Sequence, residues 1–294
     1  MISKLFASNK THQFESQPDS NRVQHALSEH FGDKLQSLAR IPDGTSSLCF
    51  IGILEGNRRF LKTYTEASGR AYLLREHKML DLVSPRVEPR LIELDQSDVS
   101  QLWLQTRVLD SAIACTPQEV IDLIHTYRAQ LDMCGANAIG SSAAHNINLL
   151  VSEADLALQE LAQGNFLTTP TIQLVCSSLE RLQILVQSDN WEICHGDLGP
   201  KNILRDGEVP VAIDWEDAFW SVPGYDYLYW LTFYENRKWL RPEYLNVTGL
   251  VPEDEVAVMV VIVLLKSVIS VRNGSHIRNA LSINDRITEV SAIV

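Results

Sequence analysis

The chain has 294 residues, 45% of them hydrophobic, enough to build one large domain or two lobes that share a cleft. Its formal net charge of −12 excludes a general nucleic-acid binder, which needs a basic surface; the acidity either suits a cationic small substrate or only keeps the protein soluble. Five scattered cysteines (Cys49, Cys115, Cys134, Cys176, Cys194) form no C-x-x-C pair, which argues against a disulfide framework or a zinc site and for the reducing cytoplasm.

In chain order, residues 1–17 are polar and carry no apolar stretch of signal-peptide length. Residues 21–35 have helical spacing with Ser20 as N-cap. Strands follow at 35–41, 47–54 and 59–64, the first two joined by a turn at Pro42-Asp43-Gly44 and the last two by one at Glu55-Gly56-Asn57. Over 66–83 the positions Leu73, Glu76, Leu80 and Val83 recur at intervals of three and four, so Glu76 lies on the inward stripe of a helix. Strand patterns return at 89–94 and 101–108.

Beyond residue 111 the pattern is helical. Residues 117–134 carry Val120, Ile124, Tyr127 and Leu131 on one face, and 171–186 carry Ile172, Val175, Leu179, Leu182 and Val186. Between them, 140–148 reads as a polar loop and 152–163 as a helix capped by Ser152 with Asp155 at the capping-box distance. The apolar run 256–265, closed by Lys266, falls well short of the roughly 20 residues of a membrane span and reads as a buried C-terminal helix. The expected class is α+β, with two lobes divided at 108/109: an antiparallel sheet with one inserted helix in 1–108, and a mainly helical lobe in 109–294. No membrane contact is expected, and no segment specifies an oligomeric state.

The segment that carries chemistry is 191–226. It holds His195-Gly196-Asp197, then Asn202 five positions after the aspartate, a turn at Asp206-Gly207, an apolar strand from 209 to 213, and Asp214 at its end. Phosphoryl transfer asks the protein for positioning and charge neutralisation more than for covalent work. Magnesium takes one or two carboxylates with substrate phosphates and water, a count that Asp214 and Asn202 fit. Asp197 is then the group that orients a hydroxyl and accepts its proton.

The strings HGDLGPKNIL and AIDWED resemble the catalytic region of the aminoglycoside phosphotransferase and choline kinase family, which are distant relatives of protein kinases. The resemblance implies a two-lobed protein-kinase-like fold and a magnesium-dependent kinase that moves the terminal phosphate of ATP or GTP to a hydroxyl of a small polar molecule. It assigns Asp197 as catalytic, Asn202 and Asp214 as metal ligands, His195 as a structural residue of the loop and Asp226 as its brace. In the first lobe it assigns Lys62 to the nucleotide phosphates, Glu76 as its ion-pair partner, and Asp43-Gly44-Thr45-Ser46-Ser47 as the phosphate-covering turn, where Gly44, Ser46 and Ser47 bring backbone and hydroxyl donors close. A buried Glu76 also needs a cation on physical grounds alone.

The chain departs from the family pattern at Gly199 and Lys201. Gly199 either widens the mouth of the acceptor site or not, and Lys201 either adds a cation near the transferred phosphate or points to solvent. Glu216 and Asp217 read equally as ligands for a cation or as a solvated acidic turn. The aromatic run from Phe219 to Trp239 reads as helix packing in preference to a cage for a quaternary ammonium group. The alternative function is a non-catalytic nucleotide-binding or regulatory protein with the same fold.

Overall fold

A computed structural model describes residues 20–41, 47–64, 69–96, 99–110, 114–134, 139, 141–188 and 190–294. Helix α1 (Ser20–Phe31) ends at Gly32, whose φ of +52° favours a residue without a Cβ. Ser20 lies inside this helix, one position beyond its expected capping place. Strands β1 (Leu35–Ile41), β2 (Ser47–Leu54), β3 (Asn57–Tyr64), β4 (Arg90–Gln96) and β5 (Val99–Arg107) form one antiparallel sheet in the order β1-β2-β3-β5-β4. Leu54 pairs with Asn57, so the β2–β3 turn is only Glu55-Gly56, both with positive φ (52° and 78°), the geometry whose twist matches flanking strands.

The alternation along β3 and β5 gives the sheet two different faces. Phe50, Leu61 and Trp103 point to one side and pack with Val23 and Leu27 of α1 in a small core. Each such fully buried side chain contributes about 1.5–3 kcal/mol relative to exposure. Lys62 and Leu104, paired across the ladder, point to the other side, where α2 (Gly69–Val83) lays down Leu73, Met79 and Leu80. Period two in the strand and period 3.6 in the helix thus bring Lys62 opposite Glu76.

The second part of the chain is mainly helical: α3 (Pro117–Cys134), α4 (Ala143–Gln163), α5 (Thr169–Leu185), a short α6 (Tyr225–Leu231), α7 (Pro252–Arg272) and α8 (Ile283–Ser291). Thr116 and Glu119 form a reciprocal cap on α3: the Glu119 carboxylate accepts from the Thr116 N–H at 2.8 Å, and the Thr116 hydroxyl accepts from the Glu119 N–H at 3.3 Å. Helix α7 extends beyond the apolar run 256–265 at both ends and is packed by α4, α5, α6 and α8. Its near-continuous apolar surface follows from that central position. Among the described residues, no helix is long and apolar enough to cross a membrane.

One expectation is corrected here. Residues 143–148 of the expected loop at 140–148 and the separate helix from Ser152 are a single helix, α4, capped by Ser142, whose hydroxyl accepts from the His145 N–H at 3.3 Å. The polar look of 143–148 is misleading because the stretch contains no Gly or Pro to break a helix, and Asn146, Ile147, Leu150, Ala154, Ala157 and Leu161 continue one buried stripe. Ser152 is interior to that helix and caps nothing.

Candidate active site

The site is assembled on two short antiparallel pairs, β6 (Glu192–Cys194) with β9 (Phe219–Ser221) and β7 (Ile203–Asp206) with β8 (Val209–Ala212). The loop 195–202 leaves β6 and closes in a 3-10 turn at Pro200–Asn202. Asp226, in the first turn of α6 and 2% exposed, holds that loop through two hydrogen bonds and is itself held by a third from Tyr127 on α3. Its Oδ2 accepts from the His195 N–H at 2.7 Å and the Tyr127 hydroxyl at 2.5 Å, and its Oδ1 from the Gly196 N–H at 3.0 Å. A buried carboxylate needs such donors, and here the two backbone donors rigidify the loop they come from while Tyr127 anchors the carboxylate to α3.

His195 is fully buried against Trp215, with ring centroids 4.5 Å apart. Its Nε2 lies 2.7 Å from the Ile213 carbonyl, an acceptor, so that nitrogen carries a proton; Nδ1 then accepts from the Asp197 N–H at 3.3 Å. Gly196 has φ +84°, and a Cβ there would stand 2.3 Å from the Asp217 carbonyl oxygen, so both backbone and space demand glycine. The Asn202 side-chain amide donates to the Asp197 carbonyl at 2.7 Å, which leaves its oxygen to face away from that bond, and its own carbonyl accepts from the Ile213 N–H at 2.9 Å. Asn202 therefore ties the Asp197 loop to the strand that leads into Asp214. The Asp197 carboxylate accepts from the Tyr229 hydroxyl, one turn along α6 from Asp226. Burial and then the Asp197 charge push the Tyr229 phenol well above its ordinary range, which keeps it a donor.

Lys62 joins the two parts of the chain. Its ammonium donates to Glu76 Oε2 at 2.8 Å on α2, to Glu216 Oε2 at 2.9 Å, and to Asp214 Oδ1. Burial opposes its charge, but Asp214, Glu76 and Glu216 outweigh that and hold it well above the usual lysine range. Glu76 is pushed up by its burial, with Lys62 pulling against it. The three carboxylate side chains differ in exposure: those of Glu76 and Glu216 are 5% and 7% exposed, whereas that of Asp214 is 31% exposed. Asp214 sits in the left-handed region (φ 66°, ψ 51°), a conformation Asp tolerates better than most residues and one that directs it off the strand end.

The sequence pattern of the phosphotransferase enzyme family matches residues 37–250. The chain belongs to that family. A phosphotransferase of this family is a small-molecule kinase with a hydroxyl as acceptor, and the two-part α+β architecture is its protein-kinase-like fold. Among solved structures, aminoglycoside 2'-phosphotransferase-IIIa bound to GDP aligns with TM-score 0.61 at 17% identity, over 92% of this chain and 95% of its own. The aminoglycoside phosphotransferase APH(4)-Ia, in a ternary complex with AMP-PNP and hygromycin B, aligns with TM-score 0.60 at 15% identity over 92% and 97%. A type I macrolide 2'-phosphotransferase aligns with TM-score 0.55 at 13% identity, over 93% and 96%. No curated protein matches the chain.

Of the residues singled out from sequence, Lys62, Glu76 and Asp214 meet through one ammonium group, while Asp197, Asn202, His195 and Asp226 meet through the loop. Ser47 opens β2 with its hydroxyl 3.5 Å from Cys49 Sγ; Gly44 and Ser46 lie outside the described residues. Two alternatives that the sequence leaves open are decided. Gly199 does not widen the acceptor mouth, because the Phe233 ring fills the place of its missing side chain, 2.6 Å from where a Cβ would stand. Glu216 and Asp217 are not a solvated turn but are buried, 6% and 3% exposed. Lys201 is exposed. Tyr225, Tyr227, Tyr229 and Trp230 are all core residues, as the packing reading expects.

Sequence reasoning missed two participants. Glu216 was visible only as half of an acidic pair, and its part in the Lys62 group depends on the 3-10 turn at Trp215–Asp217 that swings it inward. Tyr229 stood in an aromatic run without a marker, although its place three after Asp226 puts both on the loop-facing side of one helix. Ligand atoms of Glu76, Asp214 and Glu216 all lie within 4.8 Å of one another, and these hard oxygens suit magnesium. With Lys62 between them, three negative charges face one positive charge, an excess that a divalent cation would neutralise.

Proposed function

We propose that the chain is a nucleotide-dependent kinase whose Asp197 orients the acceptor hydroxyl and takes its proton, with Lys62 on the nucleotide phosphates, Glu76 as its partner, and Asn202 and Asp214 as magnesium ligands. The observation that carries this reading is the bond from Lys62 on β3 to both Glu76 on α2 and Asp214 after β8, which ties the sheet to the loop-bearing part around one charged group. Two structural relatives hold AMP-PNP with hygromycin B or GDP, which supports a purine nucleotide as donor, ATP or GTP. The division into a nucleotide-binding lobe of 1–108 and a catalytic lobe of 109–294 follows the end of the sheet at Arg107.

Magnesium bound by Asp214 and Asn202 would supply positive charge to the phosphate oxygens. Lys62 adds a fixed ammonium beside it, and the Glu76 and Glu216 carboxylates keep that ammonium charged. Tyr229 holds one oxygen of Asp197, which orients the carboxylate that takes the proton of the incoming hydroxyl. The Asp226 brace and the His195–Ile213 bond fix the loop so that little reorganisation accompanies proton transfer.

The test is a nucleotide-consumption screen over sugars, amino alcohols, amino acids and aminoglycosides, with and without magnesium, using Asp197→Ala as the blank. Turnover is expected to need magnesium and to fall at least about 1000-fold in Asp197→Ala with nucleotide affinity largely kept. Full turnover in that variant would sink the role given to Asp197. Measurable nucleotide binding with no consumption over the whole panel would favour the non-catalytic reading.

A further inference from the structure

A cavity of about 260 Å³ opens where α6, α7 and α8 meet, lined among others by Thr232, Phe233, Glu235, Lys266, Ser267 and Arg286. It adjoins the catalytic loop. Phe233 packs on Gly199, between Asp197 and Asn202, and the Lys266 ammonium lies 3.5 Å from the Phe233 ring centroid and 3.7 Å from that of Tyr229, the residue that donates to Asp197.

The two cations of this cavity are compensated unlike the other buried cation of the site. Lys62 is matched by three carboxylates, whereas among the described residues neither Lys266 nor Arg286 has a carboxylate within ion-pair distance. Lys266 donates to the Tyr229 carbonyl at 3.2 Å and the Thr232 hydroxyl at 2.8 Å, which uses two of its three N–H bonds, and Arg286 donates to the Thr232 carbonyl. These contacts cap the C-terminus of α6. A helix C-terminus carries about half a negative charge at most, and less in a helix of two turns, so capping explains the location of the pair but not two full charges. Glu235 adds one negative charge at the rim, where it is exposed. Burial lowers Lys266 well below the ordinary lysine range, with the Asp197 and then the Glu235 charge opposing it and Arg286 adding to it, and burial likewise lowers Arg286 against the Glu289 and Glu235 charges. In a protein of net charge −12, a concave site with an excess of positive charge beside the catalytic loop calls for a ligand.

We propose that this cavity is an anion subsite of the acceptor: the hydroxyl compound phosphorylated at Asp197 carries a carboxylate or phosphate that pairs with Lys266 and Arg286 while Phe233 covers its carbon skeleton. The inference rests on the kinase reading above and narrows its acceptor class from any polar molecule to an anionic one. The volume agrees, since it falls just below the roughly 300 Å³ at which pockets for whole ligands begin, and so suits one end of a small metabolite.

The experiment has two arms. In the first, protein labelled at the lysine side chains and saturated with magnesium and ADP is titrated with inorganic phosphate, acetate or chloride at matched ionic strength, and the Lys266 ε-methylene resonance, assigned by its loss in Lys266→Met, is followed by NMR. A saturable shift with phosphate or acetate but not chloride is expected, weakened about tenfold or more in Arg286→Gln, the effect of one hydrogen bond to a charged partner. No shift, an equal shift with chloride, or unchanged affinity in Arg286→Gln overturns the proposal. In the second arm, nucleotide consumption is compared for gluconate, glucose 6-phosphate, glucose and glucosamine, which share one skeleton and differ in charge; preference for gluconate or for glucose 6-phosphate separates a carboxylate from a phosphate ligand. Turnover confined to the neutral or cationic compounds overturns the subsite and leaves the kinase reading intact. Anion binding at Lys266 without turnover of any of the four keeps the subsite and counts against the kinase reading.

Discussion

Replacing Asp226 separates the brace from the chemistry it supports, because this residue is buried and touches the catalytic loop through its backbone N–H groups. Three donors converge on its carboxylate at 2.5, 2.7 and 3.0 Å. At 2% exposure no solvent can replace the lost acceptor. Hydrogen bonds to a charged group are worth roughly 1.5–3 kcal/mol each, so Asp226→Ala, even after partial relaxation, is expected to lose about 4 kcal/mol or more. That is a large share of the roughly 5–15 kcal/mol by which folded proteins are stable. Asp226→Asn is milder, and the geometry says why. An amide NH2 at the Oδ2 position can donate to the Tyr127 hydroxyl, which turns to accept, but it faces the His195 N–H; flipped, it faces the Gly196 N–H. In either orientation one buried N–H is stranded, at a cost of about 1–3 kcal/mol. Urea unfolding of wild type, Asp226→Asn and Asp226→Ala, together with kcat and the nucleotide KM on one acceptor, tests this. The expected order of stability is wild type, then Asn, then Ala, and kcat in Asp226→Asn is expected to fall about 100-fold through a shift of Asp197 of the order of 1 Å, with the nucleotide KM nearly unchanged. If Asp226→Ala unfolds within about 1 kcal/mol of wild type, the bracing argument is wrong.

Three other substitutions probe the rest of the assembly. Gly196→Ala forces a Cβ toward the Asp217 carbonyl at a φ of +84°, so it is expected to cost about 1–2 kcal/mol of backbone strain plus about 1–3 kcal/mol of overpacking, and to abolish turnover; normal melting and activity would refute it. Glu216→Gln removes one of the three carboxylates around Lys62 and is expected to raise the magnesium concentration for half-maximal activity about tenfold, as read from a metal titration of the rate. Glu192, buried next to the Arg128 guanidinium and the Gly224 N–H, is raised by its burial to about 7. A carboxyl whose folded pKa is raised favours folding when protonated, so this stability is complete below the ordinary pKa of 4.5 and is lost as pH rises through about 7. Glu192→Gln is therefore expected to flatten the melting temperature between about pH 4.5 and 7 by the equivalent of about 3 kcal/mol, and a wild type with no such slope would contradict the assigned burial.

Elements with a strong local signature were legible before any coordinates. The β2–β3 hairpin, the helix with Glu76 on its inner stripe, the amphipathic α3 and the apolar α7 each declare themselves through period or turn chemistry within some 20 residues. The polar start of α4 did not, because Asn146 occupies a buried position where the eye expects an apolar side chain, its carbonyl oxygen accepting from the Trp220 N–H at 3.1 Å. The loop from His195 to Asn202 and its distance from Asp226 were readable as a spacing, since those groups lie within about 30 positions of one another and the connecting strands are short.

Contacts between distant segments belonged to tertiary structure alone. Lys62 and Glu216 are separated by 154 positions, and no local period records that an ammonium on a strand meets a carboxylate on a turn. Whether Glu216 is solvated or buried, whether Gly199 leaves a gap or receives Phe233, and whether Lys266 merely ends an apolar run or faces a cavity all depend on which surface arrives opposite. Sequence encodes the chemistry each residue can offer and the face on which its own element presents it; the partner that neutralises, fills or competes for that chemistry is delivered by packing, because burial and electrostatics depend on distance in space and not along the chain.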